Sequence, residues 1–273
     1  MSSPTDTGYA PVNGLELYWE SYGRGGTPLI VIHGGFGLIT MMSELIDALA
    51  ASRRVIGVEL QGHGHTGDID RPFTYGAFAD DIAGLIKHLE LGKVNLLGHS
   101  FGAYVALRTA IQHPNLVDKL AVVSVPFRRD GWYPEVRAAF DHMGSANFPH
   151  LQQSPLYHGY SEVAPDPDAF PLLMDKTGEL QRQPYDWSED IRQLTTGILL
   201  VFADADSIPA SHIADFYSLL GGGQRDASWD GSGRPDAQLA VLPGLTHYDI
   251  FGSTLLIEVL EQFLSQPRGD ESL

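Results

Sequence analysis

Val94-Asn95-Leu96-Leu97-Gly98-His99-Ser100-Phe101-Gly102 runs an apolar strand directly into a glycine-flanked serine and then into a helix-forming segment. Glycines two residues before and two after Ser100 leave room for a sharp strand-to-helix turn, which holds the serine in strained backbone geometry and lifts its hydroxyl clear of a sheet. In a chain with 30 glycines the same spacing also arises in an ordinary tight turn. The residues that follow decide between the two: Tyr104, Val105, Leu107, Ala110 and Ile111 form a broad helical face, so strand, turn and helix appear in order.

Outward from this unit the alternation repeats. Toward the N-terminus, Leu15 to Tyr22 alternates as an edge strand. Leu29 to Ile32 is a buried run opening into His33-Gly34-Gly35-Phe36-Gly37, with a helical pattern through Ala50. Val55 to Leu60 is the next strand and Gly62-His63-Gly64-His65 its loop; Phe78, Ile82, Leu85, Ile86 and Leu89 then recur at helical spacing. Toward the C-terminus come a strand at Leu120 to Val125, a strand at Ile198 to Phe202 and a helix from Pro209 to Leu220. A Gly/Asp-rich loop over 221–235, a strand at Leu239 to Leu242 and a helix at Ile250 to Leu264 follow, with a frayed tail from Gln266 to Leu273. Such alternation predicts an α/β fold: a mostly parallel central sheet with helices on both faces and functional loops at the carboxyl ends of the strands.

Only residues 127–190 break the rhythm. They carry seven prolines among Trp132, Tyr133, Phe140, Phe148, Tyr157, Tyr160, Phe170 and Trp187, the composition of a helical cap, or lid, over a pocket. Residues 1–126 and 191–273 then form the core. Hydrophobic residues are 43% of the 273, enough for one large core, and the formal charge of −17 disfavours nucleic acid and anionic lipid as partners. The acidic surplus reads as a solvated surface. No apolar leader or membrane-length stretch is visible, so the reading is a cytoplasmic protein. With no cysteine, any nucleophile of this kind is serine.

A serine hydroxyl is a weak nucleophile and needs a histidine within hydrogen-bond reach, itself oriented by a carboxylate. The loop after the last strand offers His247; the loop after the preceding strand offers Asp204 and Asp206. The chain order is Ser, Asp, His. His63 and His65 lack a carboxylate set or helical spacing for a metal, so no metal and no cofactor are expected.

These motifs, HGGFG at 33–37, GHGHTG at 62–67, GHSFG at 98–102, and DADSIP at 204–209 with GLTH at 244–247, resemble those of the α/β-hydrolase-fold enzymes with a cap insertion. The likeness covers nearly everything from Leu15 to Leu264. It implies an α/β-hydrolase fold and the triad Ser100, Asp206 and His247, with Asp206 selected by its place before Pro209 and Asp204 in reserve. It also implies that His33 anchors the loop of an oxyanion hole. Its amide donors would be Phe101 and Gly35, with Phe36 in reserve, each worth roughly 3 to 4 kcal/mol of transition-state stabilisation. Phe36, Trp132, Tyr133 and Phe140 are the candidate substrate-binding residues.

The function so implied is a serine hydrolase, foremost a carboxylic-ester hydrolase acting on a small-molecule ester with an apolar acyl group. Carbon–carbon bond hydrolases, perhydrolases, acyltransferases and lyases share the framework, as do slow-hydrolysing ligand receptors. HGGFG departs from the HGGPG of proline iminopeptidases at Phe36, and Phe101 stands where those enzymes carry tryptophan. Serine at position 100 argues against haloalkane dehalogenases and epoxide hydrolases, which use aspartate there.

Overall fold

The computed structural model describes residues 2–266; the tail beyond Gln266, expected to fray, lies outside them. Its strands are β1 (Asp6–Val12), β2 (Leu15–Tyr22), β3 (Leu29–Ile32), β4 (Val55–Val58), β5 (Val94–His99), β6 (Val117–Val123), β7 (Gly197–Ala205) and β8 (Gln238–Thr246). They form one sheet in the order β1-β2-β4-β3-β5-β6-β7-β8. Pairings from β4 through β8 are parallel; β2 runs antiparallel to both β1 and β4.

Helices α1 (Ser43–Ala50), α2 (Tyr75–His88) and α3 (Phe101–Gln112) are the first crossovers; α9 (Ala210–Leu219) and α10 (Thr254–Ser265) are the last. Side-chain alternation sorts them onto two faces. Ile30, Ile32, Leu96, Val122 and Phe202 pack with Phe78 and Ile82 of α2, Leu107 of α3 and Phe216 of α9. Leu29, Val31, Leu97, Val123 and Val201 pack instead with Leu45 and Leu49 of α1 and Leu256 and Leu260 of α10. Both faces of the central strands are thus buried, which is why these strands read as unbroken apolar runs rather than as alternation. The helix after β3 and the helix after β5 lie on opposite faces, so the crevice between these neighbouring strands is the switch point where such sheets form sites.

Between β6 and β7 the chain leaves the sheet for α4 (Pro134–Asp141), α5 (Phe148–Leu151), α6 (Pro155–Val163), α7 (Phe170–Arg182) and α8 (Ser188–Arg192). The neck of this excursion is zipped: the Arg129 amide donates to the Tyr185 carbonyl at 3.1 Å and the Trp187 amide to the Phe127 carbonyl at 3.0 Å. Among the described residues no helix is long and apolar enough to cross a membrane.

Several elements differ from expectation; β6, for one, runs over Val117–Val123 rather than Leu120 to Val125. β2 is not an edge strand, because β1 pairs outside it through a two-residue turn at Asn13-Gly14, both with positive φ. Gly8 and Pro11 weaken β1 as a strand pattern, yet Asn-Gly is the residue pair such hairpin turns require. β7 and β8 extend beyond their expected ends, to Ala205 and Thr246. The final helix starts four residues later than expected: Ile250–Gly252 is a separate 3-10 turn, and the Ser253 hydroxyl caps α10 by accepting from the Leu255 amide at 3.2 Å.

Candidate active site

Ser100 stands at the junction of β5 and α3 with φ 52° and ψ −117°, a conformation costly for any residue bearing a Cβ. Its amide donates to the Val123 carbonyl at 2.9 Å, so the last residue of β6 holds the strained residue in place. The two flanking glycines are required by contact. A Cβ on Gly98 would overlap the Gly102 carbonyl oxygen, and one on Gly102 would overlap the carbonyl oxygens of Ile32 and His33. These obstacles are backbone and cannot turn aside. Gly102→Ala is therefore expected to destabilise the fold by more than about 3 kcal/mol, lowering the thermal midpoint by several degrees; a melting curve superposable on wild type would contradict the tight β3–α3 contact.

From this elbow the Ser100 hydroxyl donates to His247 Nε2 at 3.0 Å, and His247 Nδ1–H donates to Asp206 Oδ1 at 3.1 Å. Ring nitrogens are assigned from these partners: an Nδ1–H facing the carboxylate leaves the Nε2 lone pair for the serine proton. Asp206 lies just past β7 with its side chain fully buried. Its Oδ1 also accepts the Ser207 amide at 2.8 Å; its Oδ2 accepts the Ala203 amide at 3.0 Å and the Ser124 hydroxyl at 2.6 Å. Burial pushes this carboxyl up, but the His247 hydrogen bond and charge, the Ser124 hydroxyl and the Ala203 amide outweigh it, holding it below the usual carboxylate range. Asp204 points elsewhere. Exposed, it accepts the Gly244 amide at 3.0 Å and the Leu245 amide at 3.3 Å, tying the end of β7 to β8, and the Gly244 amide foremost holds its carboxyl below the ordinary range.

His99 backs the relay. Its Nε2 meets the His247 carbonyl at 3.0 Å, fixing the loop that carries His247. Burial, then the neighbouring His247, lower its titration to about 3, so it stays neutral and donates. His33 bridges two loops: Nδ1–H donates to the Gly34 carbonyl at 2.7 Å, and Nε2 accepts the Leu60 amide at 3.1 Å. These bonds tie the loop after β3 to the segment after β4. Gly35 lies against Phe101, a Cβ on the glycine standing 3.7 Å from the phenylalanine Cβ. Among the described residues the amides of Gly35, Phe36 and Phe101 donate to no protein acceptor. Phe101 is the first residue of α3, where helical amides are free to point at an anion.

Buried neutral histidines carry a stability consequence. Burial lowers His63, like His99, to about 3, the neighbouring His33 adding to the shift. Unfolded, both would take up protons below pH ~6.5. Their contribution is therefore complete above that pH and falls as the pH drops toward 3, by about 1.4 kcal/mol per pH unit for each. Urea midpoints should decline steadily from pH 7 to pH 4.5; midpoints flat across this range would show that the two rings are not buried neutral.

Of the proposed substrate-binding side chains, Trp132 is brought to the site and Tyr133 is not. The Trp132 ring lies 5.4 Å from the His247 ring, with Phe140 at 5.4 Å behind it, and its Nε1–H donates to the Tyr104 hydroxyl at 2.7 Å. Tyr133 is 39% exposed and its amide donates to the Ser207 carbonyl. Trp132 is buried against the Tyr104 hydroxyl, whereas the next residue, Tyr133, already opens α4 as its N-cap and is turned toward solvent. Phe36 sits 5.6 Å from Phe170, which packs against Phe148, Tyr157 and Tyr160. Sequence reasoning missed Ser124, Tyr104 and Phe170. Tyr104 was within reach, lying four residues after Ser100 on the same helical face; Ser124 has no sequence signal.

Residues 27–153 match the family model described as alpha/beta hydrolase fold. The dihydrolipoyllysine-residue acetyltransferase component of an acetoin cleaving system from Pseudomonas putida is 37% identical over 122 residues, covering 42% of this chain and 31% of that protein. An sn-1-specific diacylglycerol lipase from Danio rerio is 35% identical over 120 residues, covering 42% of this chain and 37% of the lipase. The chain thus spans about a third of the length of these curated relatives. In fold the likeness is nearly complete: the crystal structure of E-2-(acetamidomethylene)succinate hydrolase superposes with a TM-score of 0.75 at 20% identity, over 96% of this chain and 99% of that one.

Proposed function

We propose, for this α/β-hydrolase-fold chain, the hydrolysis of carboxylic esters through an acyl-enzyme on Ser100. The reading rests on one observation: an unbroken hydrogen-bonded line from the Ser100 hydroxyl through His247 to buried Asp206, at 3.0 and 3.1 Å. As the Ser100 oxygen bonds to the ester carbonyl carbon, its proton passes to His247 Nε2, and Asp206 stabilises the imidazolium that forms. Negative charge on the carbonyl oxygen is met by the amides of Phe101 and Gly35, with Phe36 as the alternative second donor. Collapse breaks the ester C–O bond and the alcohol departs with the His247 proton. Water, deprotonated by His247, then releases the acid and restores the serine.

Residues 127–190 act as the cap, and its aromatic side chains, Trp132, Phe140 and Phe170 foremost, favour an apolar acyl group on a small cytoplasmic ester. The lipase name of the Danio rerio relative agrees with ester substrates. The test is active-site titration with p-nitrophenyl esters of graded acyl length, following the burst and the steady rate. A burst of about one equivalent per chain followed by turnover is expected; neither burst nor turnover on any ester would overturn the reading.

A further inference from the structure

β6 ends in a buried corner at Ser124. At Ser124 the backbone turns to φ 57°, a left-handed conformation uncommon for serine, although the residue is completely buried and its amide still bonds as a strand would, to the Val201 carbonyl at 2.9 Å. A non-glycine residue held at positive φ inside a core is a cost the surroundings must outweigh, and such costs gather at functional sites. The side chain of this residue reaches Asp206. Its hydroxyl lies 2.6 Å from Oδ2, the carboxylate oxygen that His247 does not use. The preceding residue grips the other end of the relay, for the Val123 carbonyl accepts the amide of Ser100. Two consecutive residues thus hold the serine and the aspartate at a set separation.

We propose that Ser124 is a positioning residue for the reaction, a role that rests on the acyl-enzyme reading above. Its hydroxyl and the Ala203 amide take Oδ2, so the carboxylate cannot rotate and Oδ1 stays in line with His247 Nδ1–H. Among the described residues Ser124 is the only side chain that donates to Oδ2. Hydroxyl donation to a charged acceptor is among the stronger hydrogen bonds in proteins. Without it the carboxylate keeps two amides and His247 but loses the constraint on its plane.

Three substitutions separate the hydroxyl from the backbone turn. Ser124→Ala removes the donor and keeps the Cβ. Ser124→Gly removes the donor and relieves the positive φ, and Ser124→Cys keeps a weak donor of similar size. With p-nitrophenyl acetate, Ala and Gly are both expected to lower kcat by about 10- to 100-fold while KM stays within about twofold, and Cys to recover part of the loss. Thermal midpoints identify any variant that fails to fold, in which case the remaining ones are read. Independently of turnover, the low-field proton resonance of His247 Nδ1–H should shift or broaden in Ala and Gly.

Ala or Gly with wild-type kcat would overturn the proposal, as would an unchanged Nδ1–H resonance. A Gly variant that works while Ala does not would assign the corner to backbone conformation alone, which also overturns it. Ser100→Ala measured alongside keeps the two readings apart. If it is inactive while Ser124→Ala is intact, the positioning role alone falls; if it retains turnover, the acyl-enzyme reading falls.

Discussion

Ser100→Ala is expected to abolish ester turnover, lowering kcat by about 10⁴- to 10⁶-fold and eliminating the acyl burst. In the proposed acyl-enzyme mechanism, removing the hydroxyl deletes the bond-forming atom; the chain has no cysteine to replace it, and His247 serves there as the base. Loss of fold is not the cause, since alanine keeps the Cβ and the amide that donates to Val123. The thermal midpoint should therefore stay within a few degrees of wild type. Ser100→Gly makes a useful companion, because glycine accepts φ 52° without strain; it should be equally inactive and somewhat more stable. Retention of most activity in either variant would refute the role of Ser100.

The next largest effect distinguishes two carboxylates that stand two residues apart. Asp206→Asn should lower kcat by about 10⁴-fold, because an amide can present its NH₂ toward His247 and favour the tautomer whose Nε2 bears the proton, leaving no base for the serine. Asp204→Asn should leave kcat within a few-fold. That side chain accepts from the Gly244 and Leu245 amides, and an asparagine oxygen can still accept. Any cost there is structural and appears as a lower midpoint. Reversal of this pattern, with Asp204→Asn inactive and Asp206→Asn active, would move the acid to Asp204.

Much of this site was legible because each part is a contiguous run at the end of a strand. GHSFG, DADSIP and GLTH each carry their residue on a short segment whose neighbours announce a strand ending, and a parallel sheet brings such endings to one edge. Between Asp204 and Asp206 the residues alone left a choice, and only the family likeness favoured the second. In the structure the difference is physical: Asp206 is enclosed by two amides, the Ser124 hydroxyl and His247, whereas Asp204 faces solvent and accepts amides of β8. β1 was missed although Asn13-Gly14 marked its turn, because Gly8 and Pro11 obscured the strand pattern. Aromatic composition alone groups Tyr133 with Trp132, and it carries no information about which of two adjacent rings packs inward.

By itself the sequence determined the alternating α/β order, the strained serine turn and the two loops that supply histidine and carboxylate. All of these depend on periodicity or on the φ preferences of neighbouring residues, interactions that extend only a few positions along the chain. Tertiary structure alone decided which carboxylate oxygen faces His247, that Ser124 holds the other one across 82 positions of chain, and that Trp132 is pinned beside the imidazole by Tyr104. Contacts of this kind are set by how separate elements pack and which donors packing leaves without water, so each partner's own neighbourhood in the chain gives no sign of the other.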